Sequence, residues 1–384
     1  MKVAQIWDEY VADSFVEVQP LFSRVGAPVN CFTITRTLWD NGKKPDESVC
    51  FHRRLPQENL RAASFLFRAR AYLDRRFFRG SFLKFAREKL RGTDLVHFNF
   101  GFTAAQYPEL PGELPFVVTF YGSDVSSGVR DSYWRGRYQK ILPRARALLV
   151  LCEEARQRLI ALGCSPERVI VWNLPAGVEK YPYREQPTFQ ARPIRFITTA
   201  RFVEKKGHGM LLEALSLLEK GGVDFRVTLL GYSKGITWVR EEIARRGLGE
   251  KVQVIDTQFR GDFVALHNEQ LRDQDFFVMP SVVAKNGDDE GGPALSMVVA
   301  QSAGLPVVCT KFPGSEITMK EGLTGFLVPE TNAESLAATI TRMADSHASW
   351  REMGLAGREL AQQHFGEREQ VGKLVDIYKS VMIR

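Results

Sequence analysis

Long apolar runs are missing from this 384-residue chain. No stretch approaches the roughly 20 apolar residues of a membrane-spanning helix. Asp8 and Glu9 interrupt the N-terminal segment before a signal sequence could form. The five cysteines show no paired spacing typical of metal ligands, and we interpret them as small buried side chains of a reducing compartment. These absences predict a cytoplasmic protein, neither exported nor integral to a membrane.

Extreme composition is absent as well. Hydrophobic residues make up 44% and charged residues 25% of the chain, as in ordinary folded proteins. A single hydrophobic core stops growing at about 250–300 residues, so the length predicts two domains. The net charge of +7 suits phosphorylated small molecules, anionic lipid and nucleic acid equally well, so it does not select a partner.

Short β-branched and aromatic runs alternate with helical patterns throughout. Runs such as Phe116 to Phe120 are typical of strands buried on both faces of a parallel sheet. The alternation restarts at Phe196 to Thr199, after a stretch from Leu174 to Pro193 that prolines and a glycine interrupt. The pattern predicts the α/β class with two doubly wound, Rossmann-like domains. The predicted bounds are 1–178 for the N-terminal domain and 190–366 for the C-terminal domain. Residues 367–384 are predicted to form a last helix. It could pack on either domain, and one option is that it returns to the N-terminal domain.

Residues 61–91 interleave aromatic side chains with many arginines. One interpretation is a pair of core helices with solvated arginine faces. The other is a face that docks peripherally on the anionic inner membrane surface or on a phosphorylated lipid acceptor. No DNA- or RNA-recognition motif accompanies the stretch, so a nucleic-acid partner is not predicted.

Cations cluster after the first strand of the second half. Arg201, Lys205, Lys206 and Gly207 stand between this strand and the next helix, at the sheet edge where open α/β folds bind ligands. Two cations beside a glycine and a helix start would neutralise a diphosphate, although a solvated turn would have the same composition. His208, which follows, is expected at the surface.

Glycines and acids stand at two further strand ends. Gly231 would let the backbone approach a ligand closely, which is a weak signal by itself. An acidic, glycine-rich loop from Lys285 to Gly292 precedes a helix expected to begin near Pro293. Glu290 in this loop is suited to accept hydrogen bonds from sugar hydroxyls. A charge that complements the helix dipole is the alternative role for it.

The chain resembles glycosyltransferase family 4 in the order and spacing of these motifs. The series is TARFVEKKG, LLGYSKG, MPSVVAKNGDDEGGP, AQSAGLPVV and EGLTGFLVP. DLVHFNFG and VVTFYGSDVS resemble, less tightly, the branch that builds exopolysaccharide, colanic-acid-like polymers and lipopolysaccharide. The resemblance extends from about Asp94 to Pro329. It implies a GT-B fold, in which two domains face a central cleft. It also implies a hexosyltransferase-type enzyme that retains anomeric configuration and needs no metal or cofactor.

The resemblance also implies roles for individual residues. Arg201 and Lys206 would hold the donor diphosphate, and Glu290 would contact the transferred sugar. The predicted donor-binding residues are Arg201, Lys206, Gly231, Glu290, Gly291, Gly292 and Val299. The predicted catalytic residues are Glu290, Arg201, Lys206 and Tyr121. The predicted acceptor-side residues are Ser14, Phe15, His97, Gly122 and Asp124, of which His97 could equally be a packed strand residue.

Two departures from the family pattern bear on activity. Where members carry a second glutamate near the donor ribose, this chain has Val299 or, counting forward from Glu290, Val298. A valine cannot accept bonds from the ribose hydroxyls. Where many relatives have a histidine, this chain has Tyr121, whose hydroxyl can form hydrogen bonds but accepts protons poorly near neutrality.

The predicted function is transfer of a sugar from a nucleotide diphosphate sugar to a glycan or lipid-linked oligosaccharide acceptor in cell-surface polysaccharide synthesis. A non-hydrolysing epimerase of the same fold would need N-terminal catalytic acids and bases that the sequence does not reveal. The alternative from another class is a catalytically weakened, sugar-nucleotide-binding partner protein of a polysaccharide assembly complex. Val299 and Tyr121 keep that alternative open.

Overall fold

The structure is a computed structural model that divides into two compact units. It describes residues 1–11, 29–40, 49–56, 79–184, 193–257, 262–329 and 331–383. The first unit comprises Met1–Val150, Arg156–Trp172 and Val371–Arg384, and the second comprises Leu151–Ala155 and Asn173–Gln370. Ser14, Phe15 and most of the stretch 61–91 lie outside the described residues.

The first unit is built on a parallel sheet whose described strands follow the order β3-β2-β1-β4-β5-β6-β7. These strands are β1 Lys2–Val11, β2 Asn30–Asp40, β3 Val49–Pro56, β4 Leu95–Asn99, β5 Phe116–Thr119, β6 Ala147–Val150 and β7 Val169–Val171. Its helices are α1 (79–89), α2 Gly101–Gln106, α3 Ser127–Arg130, α4 Ser132–Ile141 and α5 Glu153–Ala161. Every residue of β4, β5 and β6 is buried, as expected for apolar runs with helices on both faces.

The second unit repeats this plan with the strand order β10-β9-β8-β11-β12-β13. Its strands are β8 Ile194–Thr199, β9 Phe225–Gly231, β10 Val252–Asp256, β11 Phe276–Met279, β12 Val307–Thr310 and β13 Gly325–Val328. Its helices are α6 His208–Lys220, α7 Ile236–Arg245, α8 Phe263–Arg272, α9 Leu295–Ser302, α10 Ser315–Thr318, α11 Ala333–Asp345 and α12 Trp350–Phe365. The two units confirm the prediction of two Rossmann-like domains.

Strand order decides where each unit gathers its loops. In each sheet the order reverses beside the first strand, between β1 and β4 in the first unit and between β8 and β11 in the second. The loops that leave such a pair of strands run to opposite faces, and the crevice between them is the usual ligand site of open α/β sheets. Ligand-binding residues are therefore expected in the loops after β4, β8 and β11.

The last helix, α13 Glu367–Ile383, contributes to the first unit from residue 371 onward. Leu374, Tyr378 and Val381 recur at helical spacing and are at most 3% exposed. They form the apolar face of the helix, and Tyr378 also brings a hydroxyl into the core.

The described part of the stretch 61–91 belongs to a core helix. Phe82 and Ala86 of α1 are fully buried, whereas Lys84 and Arg87 are exposed. This arrangement matches the core-helix interpretation for residues 79–91. Among the helices that the structure describes, none is both long enough and apolar enough to cross a membrane.

Candidate functional site

The loop after β8, residues 201–207, is fixed against the segment that follows β11. We call it the cation loop. It ends at Gly207, where φ is +69° and where a Cβ would lie 1.6 Å from the carbonyl oxygen of Pro280. The backbone N–H of Val282 donates to the carbonyl of Lys205 at 2.9 Å. Only glycine permits this approach, so the sequence itself fixes the contact between two distant loops.

Lys206 and Glu290 form an ion pair where these loops meet. Lys206 Nζ lies 2.6 Å from Glu290 Oε2, and the two side chains are only 13% and 6% exposed. Ser281 Oγ donates to the other carboxylate oxygen at 2.6 Å. Burial alone would raise the pKa of Glu290, but the charge of Lys206 and the bonds from Lys206 and Ser281 outweigh it and lower the pKa. Glu290 is therefore an ionised acceptor and not a proton donor.

Lys205 holds the acidic loop, residues 285–292, in place. Its Nζ donates to the carbonyl of Asp289 at 2.6 Å and lies 3.2 Å from Asp288 Oδ1. Asp289 Oδ1 in turn accepts the N–H of Gly291 at 2.9 Å. The acids of this loop are thus engaged by a lysine and a backbone amide. Within the described ranges, no three His, Cys, Asp or Glu side chains are grouped so as to hold a metal ion.

Arg201 is the exposed cation of the group. Burial lowers the pKa of Lys206, Glu290 raises it, and the charges of Lys205 and Arg201 lower it again. The balance is a pKa below the ordinary value of a lysine. Three positive charges therefore lie within electrostatic reach of one another, and an anion placed beside them would relieve their repulsion.

The glycines of this region are explained by packing within the second unit. A Cβ on Gly231 would lie 1.9 Å from the carbonyl oxygen of Ala200, and one on Gly235 would lie 2.1 Å from that of Phe202. Gly292 is similarly close to Leu151, with 2.5 Å between the added Cβ and that of Leu151. The approach of neighbouring chain, rather than of a ligand, therefore suffices to require glycine at these positions.

Val299 is packed in the core, contrary to the expectation that it lies beside the donor ribose. It is 4% exposed and belongs to an apolar cluster with Met297 and Ala300. Val298 is fully buried in a second cluster with Val178 and Phe365. Both valines lie on α9, which is buried over most of its length. Neither valine offers a surface to a ligand in this structure.

A cavity of about 470 Å³, which no sequence motif predicts, lies next to the cation loop. Its walls include Phe202, Met210, Val282 and the half-exposed Trp238, which come from separate segments. His208 also lines it and is 3% exposed, so the expectation that this histidine lies at the surface is wrong. Burial, followed by the charge of Lys206, lowers the pKa of His208 to about 4.

In the first unit, Tyr121 follows β5 and lies in an aromatic setting. Its ring stacks on Trp7 with centroids 6.1 Å apart, and the centroid of Phe100 is 4.7 Å away. Phe100 has φ of +71°, an uncommon conformation for a residue other than glycine. Such strain tends to gather at functional sites. Tyr121 itself is partly exposed, and burial, followed by the charge of Asp124, raises the pKa of its hydroxyl well above the ordinary value.

Asp124 is fully buried and organises this loop, although the sequence suggests an acceptor contact for it. Its carboxylate accepts N–H groups of Tyr121 at 3.0 Å, Gly122 at 2.9 Å and Gly101 at 2.8 Å. Burial raises its pKa to about 6, although these backbone bonds act in the opposite direction. Asp124 therefore joins the Tyr121 loop to the start of α2. Gly122, also buried, is part of the same turn.

His97 is a packed strand residue, which is the alternative that the sequence leaves open. It is fully buried in β4, and its Nε2 lies 2.7 Å from Thr119 Oγ1. Its Nδ1 lies 2.7 Å from Tyr378 Oη on the last helix. Burial lowers the pKa of His97 to about 3, so the imidazole is neutral. Of the predicted residues, Lys206 and Glu290 thus lie together in the second unit, and Tyr121, Gly122 and Asp124 share one turn in the first, whereas Val299 lies in the core.

Residues 180–360 match the family described as glycosyl transferases group 1, and residues 23–174 match a glycosyl transferase 4-like domain. The glycosyltransferase WcaL of Salmonella typhimurium, which is named for colanic acid biosynthesis, is 30% identical over 292 residues, 75% of this chain and 70% of the relative. The chain belongs to glycosyltransferase family 4. The amylovoran biosynthesis glycosyltransferase AmsK of Erwinia amylovora is 28% identical over 74% of this chain and 69% of its own length.

Solved structures place this family 4 chain in the GT-B fold. Sucrose-phosphate synthase from Thermosynechococcus elongatus superposes with a TM-score of 0.76 at 18% identity, over 100% of this chain and 99% of that one. The HepE protein of Anabaena, solved in complex with UDP, gives 0.72 at 15% identity, over 99% of this chain and 100% of its own. At these identities the likeness shows the fold. The enzyme class, glycosyltransferase, comes from the family itself.

Proposed function

We propose that this glycosyltransferase retains anomeric configuration, works without a metal, and takes its sugar from a nucleotide diphosphate sugar. The proposed acceptor is a glycan or a lipid-linked oligosaccharide of cell-surface polysaccharide synthesis, for which the names of AmsK and WcaL are the support. The observation that carries the proposal is the buried Lys206–Glu290 pair, with Lys205 and Arg201 beside it.

The cation loop is suited to the leaving diphosphate. Lys206 has three N–H donors and uses one on Glu290, so it can also donate to a phosphate oxygen. Arg201 is exposed and, within the described residues, makes no ion pair, so its guanidinium is available for a bidentate phosphate contact. As the glycosidic bond breaks, negative charge grows on the diphosphate, and cations already held in place stabilise it without reorganising.

Glu290 is suited to the transferred sugar. Lys206 and Ser281 keep it ionised and oriented, so it can accept bonds from sugar hydroxyls but cannot protonate a leaving group. Lys205 already neutralises the charge of Asp288, so this loop is poorly suited to bind a divalent cation. These two features support a route in which the protein supplies position and charge, while the donor's own diphosphate is the leaving group.

Peripheral contact with an anionic membrane through residues 61–91 stays part of the proposal. It applies to residues 61–78, since the described remainder of the stretch packs as a core helix. Tyr121 is proposed as a catalytic residue of the first unit, because it stands where many relatives have a histidine that reaches the donor sugar.

A screen of UDP-, GDP-, ADP- and dTDP-sugars for thermal stabilisation tests the donor proposal. A ligand at about 100 times its dissociation constant adds roughly 2.7 kcal/mol to the free energy of unfolding. Arg201→Ala should weaken binding of the selected nucleoside diphosphate about tenfold or more and leave nucleoside binding unchanged. Arg245→Ala, at an exposed arginine on α7, is the control.

Equal diphosphate affinity in the Arg201→Ala variant and the wild type would exclude the assigned site. Binding of a nucleotide with no turnover of any of the donor sugars would favour the alternative of a sugar-nucleotide-binding partner protein. The stereochemistry of the product, read by NMR from the anomeric proton coupling, tests retention.

A further inference from the structure

The cavity beside the cation loop lies at the start of two helices of the second unit. Gly207, the N-cap of α6, and Gly235, the N-cap of α7, both line it, and neither helix start has a side-chain cap. Within the described ranges, the backbone N–H groups of His208, Gly209 and Met210 donate to no protein group. These three residues line the cavity as well. The uncapped start of α6 therefore faces the cavity, and such a helix start favours an anion.

His208 is almost fully buried and has no hydrogen-bond partner. It is 3% exposed, and neither of its ring nitrogens is bonded to any group that the structure describes. Its ring contacts that of Phe202, with centroids 5.0 Å apart. A buried polar group without a partner has lost its hydration without compensation, so such groups are uncommon in folded proteins. Because His208 lines the cavity, a ligand bound there would supply the missing partner.

The charges around His208 favour an anion over a cation. The charge of Lys206 adds to the effect of burial in lowering the pKa of His208 to about 4, so the neutral imidazole offers one N–H donor. Lys285 brings a further cation to the wall of the cavity, and Glu204 brings an opposite charge. Both side chains are exposed, so water and salt screen them more than they screen the buried helix start.

The rest of the wall is largely apolar. Phe202, Met210, Val239 and Val282 contribute to it, and the ring of Trp238, which is 48% exposed, borders both the cavity and solvent. A volume of about 470 Å³ is within the usual range of small-molecule sites. An inorganic anion would leave the apolar surfaces unused, whereas a hydrocarbon would leave His208 unpaired. A ligand with one anionic and one apolar part uses the whole cavity.

We propose that this cavity is a second binding site, separate from the donor diphosphate site, for a phosphate ester of an apolar alcohol. The phosphate lies at the start of α6 beside His208 and Lys285, and the apolar part packs against Met210 and Trp238. A lipid headgroup and a soluble ester both present this chemistry. Every residue of the site belongs to the second unit. The inference does not depend on the role proposed for Glu290.

The probe is octyl phosphate, used below its micelle concentration, and its binding is measured by isothermal titration calorimetry. His208→Leu should weaken this binding about tenfold or more. The variant should keep or increase its resistance to urea, because the histidine has no hydrogen bond within the protein to lose and leucine is the better helix former. Unchanged binding with lower resistance to urea would show a structural role and overturn the inference.

Two further variants complete the test. Lys285→Gln changes only an exposed side chain, so it keeps the proposal testable if His208→Leu fails to fold, and it should weaken binding about threefold. Trp238→Ala should also weaken binding of octyl phosphate. Tyr133→Ala is its matched control, since Tyr133 is a 59%-exposed aromatic residue of the first unit. Wild-type affinity in both Lys285→Gln and Trp238→Ala would contradict the assigned site.

Related ligands test the chemistry of the site. Inorganic phosphate and 1-octanol should each bind about tenfold or more weakly than octyl phosphate. Equal affinity for either one would overturn the proposal, since the apolar wall or the anion position would then contribute nothing. The nucleoside diphosphate selected by the thermal screen should not displace octyl phosphate. Displacement together with normal binding in His208→Leu would place the probe in the donor site instead.

Vesicles distinguish the two sources of the ester. The wild type and His208→Leu are sedimented with phosphatidylcholine vesicles that contain or lack phosphatidic acid. Sedimentation that requires phosphatidic acid and is reduced in His208→Leu would assign the site to a lipid headgroup. Binding of octyl phosphate without such a difference would assign it to a soluble ester. Absence of both responses would overturn the inference.

Discussion

The two units prepare for a substrate by different means. The candidate site of the second unit is charged, with Lys206 and Glu290 paired in a nearly buried position. In the first unit, neutral polar groups beside Tyr121, among them Asn99 and Gln5, hold one another through directed hydrogen bonds. Electrostatic attraction acts over distance, so the cations of the second unit can hold a bound anion beside the carboxylate of Glu290. A neutral network acts only through contact, so every member has to be in place.

The largest effect is expected where backbone packing supports the charged site. Gly207→Ala forces a Cβ to within 1.6 Å of the Pro280 carbonyl oxygen at a φ of +69°. The loops must separate, and the free energy of unfolding should fall by at least about 5 kcal/mol. Urea denaturation measures this change in the free energy of unfolding. Gly222→Ala is the control, because its φ is +74° but nothing lies within 4 Å of the added Cβ. A similar loss in both variants would assign the effect to backbone conformation alone.

Removal of one charge should cost more than removal of one neutral hydroxyl. Lys206→Met leaves the 6%-exposed carboxylate of Glu290 without its cation, which should lower stability by about 4 kcal/mol. Tyr378→Phe should lower it by about 1 kcal/mol. Adding Glu290→Gln to Lys206→Met should restore part of the loss, as seen in chemical denaturation. No recovery in the double variant would show that Lys206 stabilises the unit by packing.

The smallest effect concerns pH and contrasts one carboxyl group in each unit. Folding raises the pKa of Asp124 from 3.8 to about 6, so its contribution to stability increases as pH falls through this range, by about 1 kcal/mol between pH 7 and pH 5. The pKa of Glu290 is lowered from 4.5, so its contribution is lost as pH falls below that value. Unfolding free energies at pH 7 and pH 5 should therefore show a gain on acidification that Asp124→Asn lacks. An unchanged profile in this variant would refute the assignment.

The charged site could be predicted from the sequence because each of its two loops is a short continuous motif. Lys206 and Glu290 belong to two short motifs beside glycines, at the ends of recognisable strands. The prediction did not foresee that Lys206 and Glu290 bind each other, since nothing local reports a contact across 84 residues. The two Rossmann-like domains followed from hydrophobic periodicity, which repeated packing of helices on sheets enforces.

The neutral site could not be predicted in this way. Gln5 and Tyr378 are separated by 373 residues, and neither stands in a motif. Asp124 and Val299 look like ligand contacts because their neighbours in sequence do, yet both are buried. A parallel strand has two buried faces, and a helix has a core side and an outer side. The sequence alone does not say which of these a particular side chain occupies.

The helix that carries Tyr378 has a consequence for the order in which the protein is made. Residues 371–384 complete the compact unit that begins at Met1, but the ribosome adds them only after the whole of the second unit. Until then Gln5 and His97 lack the Tyr378 hydroxyl, and the first unit is a nascent intermediate with an uncovered apolar face. The second unit, continuous from residue 173 to 370, can close as soon as it leaves the exit tunnel. Completion of the first unit therefore has to wait for residues that follow the second unit along the chain, so the first unit cannot finish folding before the second has been synthesised.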